Sequence, residues 1–527
     1  MVWFWKTERE RWASPLALSQ TEMHVGLPAL DARGRELYET ALPRGVRVPR
    51  FVPDRPPLNY WMPPAELLRH AYAPGQIVLG KLAGQFLGHL DDRPQVTIAA
   101  ARSGKTSTVL EPNLYLYPGS MLVLDPKGEL APTARFRRLL GHRVHVLDPF
   151  GQSGEPSAAF NALDELDPDS RTVVDDAKSI THALVPDTGD ARSQHWNDSA
   201  RTLLLGIILL TLTLPESERN LVTVRELLAL TYPRLQHAVK AAVRTARERT
   251  RDEEVYKEYY DEHRVAVQTL LRTMSGQGSR FGGILAATGN RFLGTPQTER
   301  GSIFSTAAVN TDFLDSLPLR DISTHSDFRL RDLRSERPTS IYLCLAVGRM
   351  ESHFRWLRLV VQLACIALER MGTYPRDRAP ILFMMEEFAT LGHMAIMERA
   401  AAYFPGFGVK LWVILQNLGQ LTENYKNSEI FLANAGLIQC FSNGDEETLG
   451  YIARRLAGLI QPFELRTAFS RRNFTQLLMM EGEPPAAALR LEHEDVAAIR
   501  AQIVRHAGAG LRHRPLALPS RRTMPRA

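Results

Sequence analysis

The sequence predicts an α/β fold, in which a mostly parallel β-sheet is flanked by helices and interrupted by an inserted all-α domain. Short apolar runs typical of strands alternate with helical segments at intervals of about thirty residues, the spacing of strand–helix–strand units. Between the third and fourth of these runs the pattern is helical throughout. A length of 527 residues with 44% hydrophobic residues can bury more than one core.

The first part of the chain divides into an arm and the start of the sheet. Residues 1–90 are irregular and rich in proline, so we expect an N-terminal arm or a small appended module. Strands are predicted at residues 95–100, 120–125 and 143–148. A helix follows the first strand, and Pro112 is expected to kink it.

The remainder is predicted to be a helical block, a returning sheet and a tail. Residues 164–298 lack β-type runs and form the predicted all-α domain. Residues 91–163 and 299–490 are assigned together to one nucleotide-binding domain, and residues 491–527 to a basic, proline-containing tail. The strands expected in the returning part are residues 340–347, 381–385, 410–415 and 437–442.

Residues 99–107, with the sequence AAARSGKTS, are a candidate phosphate-binding loop. Gly104 permits close backbone approach, Lys105 supplies a cation, and Thr106 supplies a hydroxyl for Mg²⁺ where a helix begins. Ala99 stands where the usual pattern has glycine, and it is tolerated if the position needs no positive φ. The predicted nucleotide-binding residues are Ala99, Ala100, Ala101, Arg102, Ser103, Gly104, Lys105, Thr106 and Ser107.

Two glutamates follow the apolar run at residues 381–385. A P-loop enzyme needs carboxylates at such a strand end, to hold Mg²⁺ and to activate water. We therefore expect Glu386 to bind Mg²⁺ through its water shell, with Thr106 as the other metal ligand, and Glu387 to be the general base. Glu386 is a departure from the usual aspartate. In the alternative interpretation, the pair caps a helix that begins at Phe388.

An amide ends the neighbouring apolar run. Gln416 follows residues 410–415, and we expect it to sense the γ-phosphate and to align water between adjacent strands. The predicted catalytic set is therefore Glu387, Glu386, Gln416 and Lys105. A P-loop kinase is disfavoured because the glutamate pair suits water activation better than phosphorylation of an acceptor.

Several further segments follow the candidate loop in a fixed order. They are GSMLVLDPKGEL, GHRVHVLDPFG, HWNDSARTLLLGIILL, RGSIFSTAAVNTDFL, MMEEFATLGHM, ILQNLGQLTENY and FSNGDEETLGYIARRLAG. In this order, over about residues 95–455, the chain resembles the type IV coupling proteins, the hexameric RecA-like ATPases of conjugative DNA transfer.

The resemblance implies a RecA-like P-loop NTPase that uses ATP and Mg²⁺ in a homo-oligomeric, hexameric ring. Its implied partners are single-stranded DNA, a relaxase and components of a type IV secretion channel. Asp125, Lys127 and Glu129 match the family's D-P-K-G-E, either near the nucleotide or subunit boundary or simply within a turn. Arg399 and Lys410 are candidates for a trans-acting cation, and their spacing does not choose between them.

Membrane anchoring is where the sequence departs from the resemblance. Most members carry two N-terminal membrane spans, whereas the longest apolar run here, residues 203–214, is too short for one. We expect no integral membrane insertion, and a cytoplasmic location or a peripheral one at the inner face of the membrane. The net charge of +6 is too small to indicate nucleic acid, and three scattered cysteines exclude a disulfide framework.

Two other functions remain open at this point. One is a nucleotide-gated platform that recruits protein cargo through the helical domain. The other is a soluble DNA-translocating ATPase that is not tied to secretion.

Overall fold

A computed structural model describes residues 60–187, 191–249, 261–375, 377–511 and 516. Most of the predicted arm lies outside these residues, as does the predicted tail beyond residue 511, apart from residue 516. The strands are β1 (Ile77–Leu82), β2 (Gln85–His89), β3 (Gln95–Ile98), β4 (Met121–Asp125), β5 (Arg143–Leu147), β6 (Thr339–Cys344), β7 (Ile381–Met385), β8 (Val409–Leu415), β9 (Leu437–Cys440), β10 (Thr475–Met480) and β11 (Ala486–Leu489).

All eleven strands form one sheet, in the order β2-β1-β11-β10-β9-β3-β8-β7-β4-β6-β5. From β9 to β5 every neighbouring pair is parallel, and from β9 to β2 every pair is antiparallel. The α/β fold class with a mostly parallel sheet is therefore confirmed. Each of the seven strands predicted from the sequence lies in the parallel part.

Several parallel strands, such as β4 and β7, are largely apolar because the sheet is covered on both faces. In β4, Leu122 and Leu124 belong to one hydrophobic core, while Met121 and Val123 belong to another on the opposite face. All four side chains are fully buried. A strand buried on both sides has no polar face, which explains the continuous apolar runs in the sequence.

Helices cover both faces and fill the interval between β5 and β6. They are α1 (Pro64–Leu67), α2 (Glu111–Leu116), α3 (Ala134–Leu139), α4 (Val173–Leu184), α5 (Ala191–Thr211), α6 (Leu221–Leu228), α7 (Pro233–Arg249), α8 (Glu262–Ser275), α9 (Ile284–Gly294), α10 (Gln297–Asn310), α11 (Leu317–Ile322), α12 (Met350–Arg370), α13 (Ala395–Tyr403), α14 (Gly419–Asn424), α15 (Glu429–Ala433), α16 (Glu446–Arg455), α17 (Pro462–Ala468) and α18 (His493–Gly508). Within the described part of the chain, no helix combines the length and the apolar composition needed to cross a bilayer.

The helical block runs further along the chain than the sequence indicated. Helices α4 to α11 occupy the described residues from Val173 to Ile322, and strand β6 begins only at Thr339. The buried side chains of α5 belong to the same core as one face of the sheet. The division into domains at residues 163, 298 and 490 stays a prediction.

An antiparallel extension of the sheet was missed by sequence reasoning. It consists of the hairpin β1–β2, from the predicted arm, and the hairpin β10–β11. The two hairpins meet where β1 pairs with β11, and Gly80 is required there because a Cβ would lie 2.3 Å from the Leu489 carbonyl oxygen. Helix α18 also occupies part of the predicted tail, where sequence reasoning expected no helix.

A row of buried polar side chains crosses the boundary between the parallel and antiparallel parts. The Trp412 indole donates to the Thr97 hydroxyl, which donates to Gln439. The Gln439 amide donates to Gln476, and the Gln476 amide donates to the Leu79 carbonyl oxygen. This polar row joins β8, β3, β9, β10 and β1. Because its side chains are fully buried, a shift in strand register would leave them unpaired.

Candidate functional site

The topology brings the predicted site residues to one edge of the sheet. Strands β3, β8 and β7 are parallel neighbours, so their carboxyl ends point the same way. The candidate phosphate-binding loop follows β3, Gln416 follows β8, and Glu386 follows β7. Ligand sites of open α/β sheets lie at this edge.

The loop at residues 99–107 tolerates alanine at its first position for a visible reason. Ala99 is fully buried, its φ is not positive, and its N–H donates to the Leu415 carbonyl oxygen at 2.9 Å. Positive φ values occur instead at Arg102, with 58°, and at Gly104, with 93°. The position of Ala99 thus needs a small side chain but not the conformational freedom of glycine.

The helix after the loop changes its hydrogen-bonding pattern close to Pro112, and the predicted kink itself stays a prediction. Residues Thr106–Leu110 form a π-helical turn, and the α-helical hydrogen bonding of α2 begins at Glu111. Proline cannot donate a backbone hydrogen bond, so it fits near the start of the α-helical part. Thr106, the predicted hydroxyl ligand, is half-buried in the first turn.

Lys105 lies between the loop and the two glutamates. Its Nζ is 3.7 Å from Glu386 Oε1 and 3.6 Å from Glu387 Oε1, and its side chain is only 7% exposed. Lys127 approaches from the loop after β4, with its Nζ 3.7 Å from Glu387 Oε1. Two cations and two carboxylates therefore meet at the carboxyl edge. The pairing neutralises the charges of Lys105 and the two glutamates, which are mostly withdrawn from water.

Glu386 is fully buried, and none of the described residues hydrogen-bonds to either of its carboxylate oxygens. Burial raises the pKa of Glu386 to about 7, while the charge of Lys105 opposes this shift. A buried carboxylate without hydrogen-bond donors is costly, and a metal-bound water is a donor that its oxygens lack. Its environment therefore fits the predicted role near Mg²⁺.

Glu387 combines an unusual backbone conformation with specific side-chain contacts. It lies in the left-handed region, with φ 52° and ψ 45°. Its carboxylate accepts both hydrogen bonds of the Gln416 amide, at 3.0 and 2.9 Å from Nε2, and makes no capping bond to the following turn. The capping alternative is therefore wrong for Glu387. Strained backbone of this kind concentrates at functional sites.

Gln416 is held in place by two polar neighbours that sequence reasoning missed. Its backbone N–H donates to Gln420 Oε1 at 2.8 Å, and its carbonyl oxygen accepts from Asn443 Nδ2 at 2.6 Å. Both neighbours occur in quoted segments, ILQNLGQLTENY and FSNGDEETLGYIARRLAG. The segments were recognised as wholes, and nothing in their spacing singled out these two amides.

Asp125 and Lys127 of the D-P-K-G-E segment play different parts, one in a turn and the other beside the candidate nucleotide site. The Asp125 carboxylate is fully buried and accepts the backbone N–H groups of Glu129, Leu130 and Ala131, so it stabilises the turn. Burial raises the pKa of Asp125 to about 6, although these hydrogen bonds oppose the shift. The Lys127 side chain, by contrast, forms an ion pair with Glu387.

Lys410 is wrong as a candidate for the trans-acting cation. It lies near the amino end of β8, at the opposite edge of the sheet, and is only 2% exposed. Its Nζ donates to the carbonyl oxygens of Asp91 and Arg93, and burial lowers its pKa to about 8. Arg399 is exposed on α13 and stays a prediction.

Arg490 is the main neighbour of the loop that sequence reasoning missed. It follows β11, is fully buried, and donates through Nη1 to the Ser103 carbonyl oxygen at 2.6 Å. The two residues are 387 positions apart, so no local pattern connects them.

Comparison with known proteins identifies the relatives of this chain. A sequence model of the family described as "Type IV secretory system Conjugative DNA transfer" matches residues 67–460, most of the chain. This chain belongs to that family. Conjugal transfer protein TraG of Escherichia coli is 25% identical over 405 residues, covering 74% of this chain and 59% of TraG. Protein VirD4 of Agrobacterium fabrum is 25% identical over 378 residues, covering 71% of this chain and 51% of VirD4.

Solved structures show the same fold. The plasmid coupling protein TrwB, solved both with an ATP analogue and with ADP and Mg²⁺, superposes on this family member with a TM-score of 0.56 at 15% identity. The match covers 81% of this chain and 92% of TrwB. The RecA-like P-loop fold predicted for the chain is thus confirmed. The chain spans a little over half the length of the curated relatives it matches.

Proposed function

We propose that this protein is an ATP-hydrolysing coupling protein that delivers single-stranded DNA, or a relaxase–DNA complex, to a type IV secretion channel. Membership of the conjugative DNA-transfer family supports a role in DNA transfer. The observation that carries the enzymatic part is the convergence of Lys105, Glu387 and Gln416 at one edge of the sheet.

ATP and Mg²⁺ are the proposed ligands. TrwB, which shares the fold, has been solved with a non-hydrolysable ATP analogue and with ADP and Mg²⁺. The loop at residues 99–107 would hold the phosphates, and Thr106 and Glu386 would face Mg²⁺. The described residues contain no group of three or more His, Cys, Asp or Glu side chains that could hold a metal. Phosphate oxygens and waters must then supply the other ligands, as is usual for Mg²⁺.

The residues of the chain would divide the chemistry among them. Lys105 binds the outer phosphates and in doing so leaves the two glutamates it pairs with here. Glu387 then takes the proton of the attacking water, while the Gln416 amide holds its carboxylate in one orientation. Mg²⁺, when bound, would neutralise charge on the phosphate oxygens.

Ring assembly is part of the proposal because the site within one subunit has few cations. Lys105 and Lys127 are the two that pair with the candidate base among the described residues. A further cation from a neighbouring subunit would stabilise charge that develops on the transferred phosphoryl group. The resemblance to hexameric ring ATPases supports such an arrangement, with Arg399 as the remaining candidate.

The test is ATP hydrolysis by the purified chain, with and without single-stranded DNA. We expect Mg²⁺-dependent turnover that DNA increases. Glu387→Gln should bind ATP but fail to hydrolyse it, whereas Glu216→Gln, which changes an exposed glutamate of the helical block, should hydrolyse normally. Turnover that DNA does not change and a protein partner does would favour cargo recruitment. Normal turnover by Glu387→Gln would place the base elsewhere, with Glu386 as the first residue to examine.

A further inference from the structure

Arg490 is buried behind the phosphate-binding loop, beyond the residues that the family model matches. Its guanidinium donates to three carbonyl oxygens: Nη1 to Ser103 at 2.6 Å, Nε to Thr475 at 2.9 Å and Nη2 to Phe469 at 2.6 Å. The guanidinium carbon also lies 3.8 Å from the centre of the Phe441 ring. Every nitrogen of the guanidinium thus has an acceptor, and the ring fixes its plane.

The contact with Ser103 determines which way one peptide group of the loop faces. In a trans peptide the C=O and the following N–H point in opposite directions. With the Ser103 carbonyl directed at Arg490, the N–H of Gly104 is directed away from Arg490. Gly104 has φ 93° and a Cβ there would meet only ordinary van der Waals contacts, so the loop itself does little to prevent this peptide from turning over.

We propose that Arg490 is a positioning residue for the nucleotide, which holds the Ser103–Gly104 peptide so that the Gly104 N–H faces the bound phosphate. This inference rests on the proposed nucleotide site. The guanidinium stays charged at neutral pH, since burial lowers the pKa of Arg490 only to about 10. A charged donor on the outside of the loop also strengthens the dipole of that peptide toward an anion inside it.

Arg490 further connects the loop to the antiparallel extension. Thr475 begins β10, Phe441 follows β9, and Arg490 itself follows β11. Helix α18, which comes next, is tied to the helix after the loop, because Arg500 donates to Glu111 and to the Tyr115 hydroxyl. The loop and the helix it leads into are therefore both attached to the C-terminal part of the described chain.

The experiment compares Arg490→Lys and Arg490→Met with Arg137→Lys in the full chain. Arg137 is an equally buried arginine that also donates to backbone carbonyl oxygens, those of Leu114, Tyr117 and Gly119, but it lies at the opposite edge of the sheet. Affinity for the non-hydrolysable analogue ADPNP with Mg²⁺ is measured by calorimetry, and the melting temperature of each nucleotide-free variant is recorded beside it.

We expect Arg490→Lys to weaken ADPNP binding by about tenfold and Arg490→Met by more, since lysine keeps a charged donor group whereas methionine has none. Arg137→Lys should lower the melting temperature yet leave affinity within about twofold. If Arg490→Met fails to fold, Phe441→Leu, which removes only the stacked ring, should weaken binding by about threefold. Equal affinity of wild type, Arg490→Lys and Phe441→Leu would overturn the inference. A wild-type chain that binds no ADPNP would instead overturn the proposed function.

Discussion

Replacing Glu386 with glutamine should stabilise the nucleotide-free protein, and the gain should grow with pH. The carboxylate is fully buried without a hydrogen-bond donor among the described residues, and burial raises its pKa from 4.5 to about 7. In the unfolded chain the same group ionises near its ordinary value. Between these two pKa values the folded protein binds the extra proton, so the stability of the wild type falls as pH rises through this window.

The size of the effect follows from the shift. A difference of roughly 2.5 pKa units corresponds to about 3 kcal/mol of unfolding free energy, fully expressed above pH 7 and absent below pH 4.5. Glu386→Gln removes the ionisation and should therefore be about 3 kcal/mol more stable than wild type at pH 8, with little difference at pH 5. The same substitution should abolish the Mg²⁺-dependent part of nucleotide binding.

Urea unfolding at pH 5, 6.5 and 8, without nucleotide, measures this difference directly. Glu387→Gln is the matched control. The Glu387 carboxylate accepts hydrogen bonds from the Gln416 amide and lies beside Lys105 and Lys127, so its charge is already compensated. Replacing this carboxylate should give no comparable gain in unfolding free energy at pH 8. The reasoning is refuted if Glu386→Gln is less stable than wild type at pH 8, or if the difference between them does not change with pH.

Three other changes test the site and its assembly. Lys105→Ala removes the cation that the loop offers to phosphate and should weaken ADPNP binding by roughly 10- to 100-fold in calorimetry; unchanged affinity would show that the loop is not the phosphate site. Lys127→Ala takes one of two cations from beside Glu387, so turnover should fall by roughly tenfold while ADPNP affinity stays within about twofold. A parallel loss of affinity would place Lys127 in binding instead. Hydrolysis per subunit should rise with protein concentration, and Glu387→Gln chains mixed with wild type should lower activity by more than dilution. Activity strictly proportional to the wild-type fraction would mean that each subunit works alone.

The parallel part of the sheet could be predicted because its strands carry their own signal. β7 and β8 are buried on both faces, and each reads as an apolar run in the sequence, interrupted in β8 by Lys410 alone. The antiparallel extension carries a much weaker signal. β11 has the sequence Ala-Ala-Ala-Leu, with low β propensity, and β1 contains Gly80, which is there for close approach to Leu489.

In the candidate site, too, residues marked by a local sequence pattern could be predicted, whereas a residue defined by partners far away in sequence could not. The residues around Lys105, Glu387 and Gln416 each sit at the end of an apolar run, so parallel topology alone was enough to bring them together. Arg490 gives no such signal. Its importance comes from partners far away in sequence, including Ser103, and from a hairpin whose position in the sheet was not predicted.

The meeting of β1 with β11 has a consequence for biosynthesis. β1 begins at residue 77 and its partner ends at residue 489, so β1 has left the ribosome long before β11 exists. At ordinary elongation rates the interval is roughly 20 to 80 s. Throughout that time the edge of β1 that pairs with β11 carries unpaired backbone groups, which can pair with other chains. A nascent or prematurely terminated chain of this protein should therefore need chaperone protection until its last strands arrive.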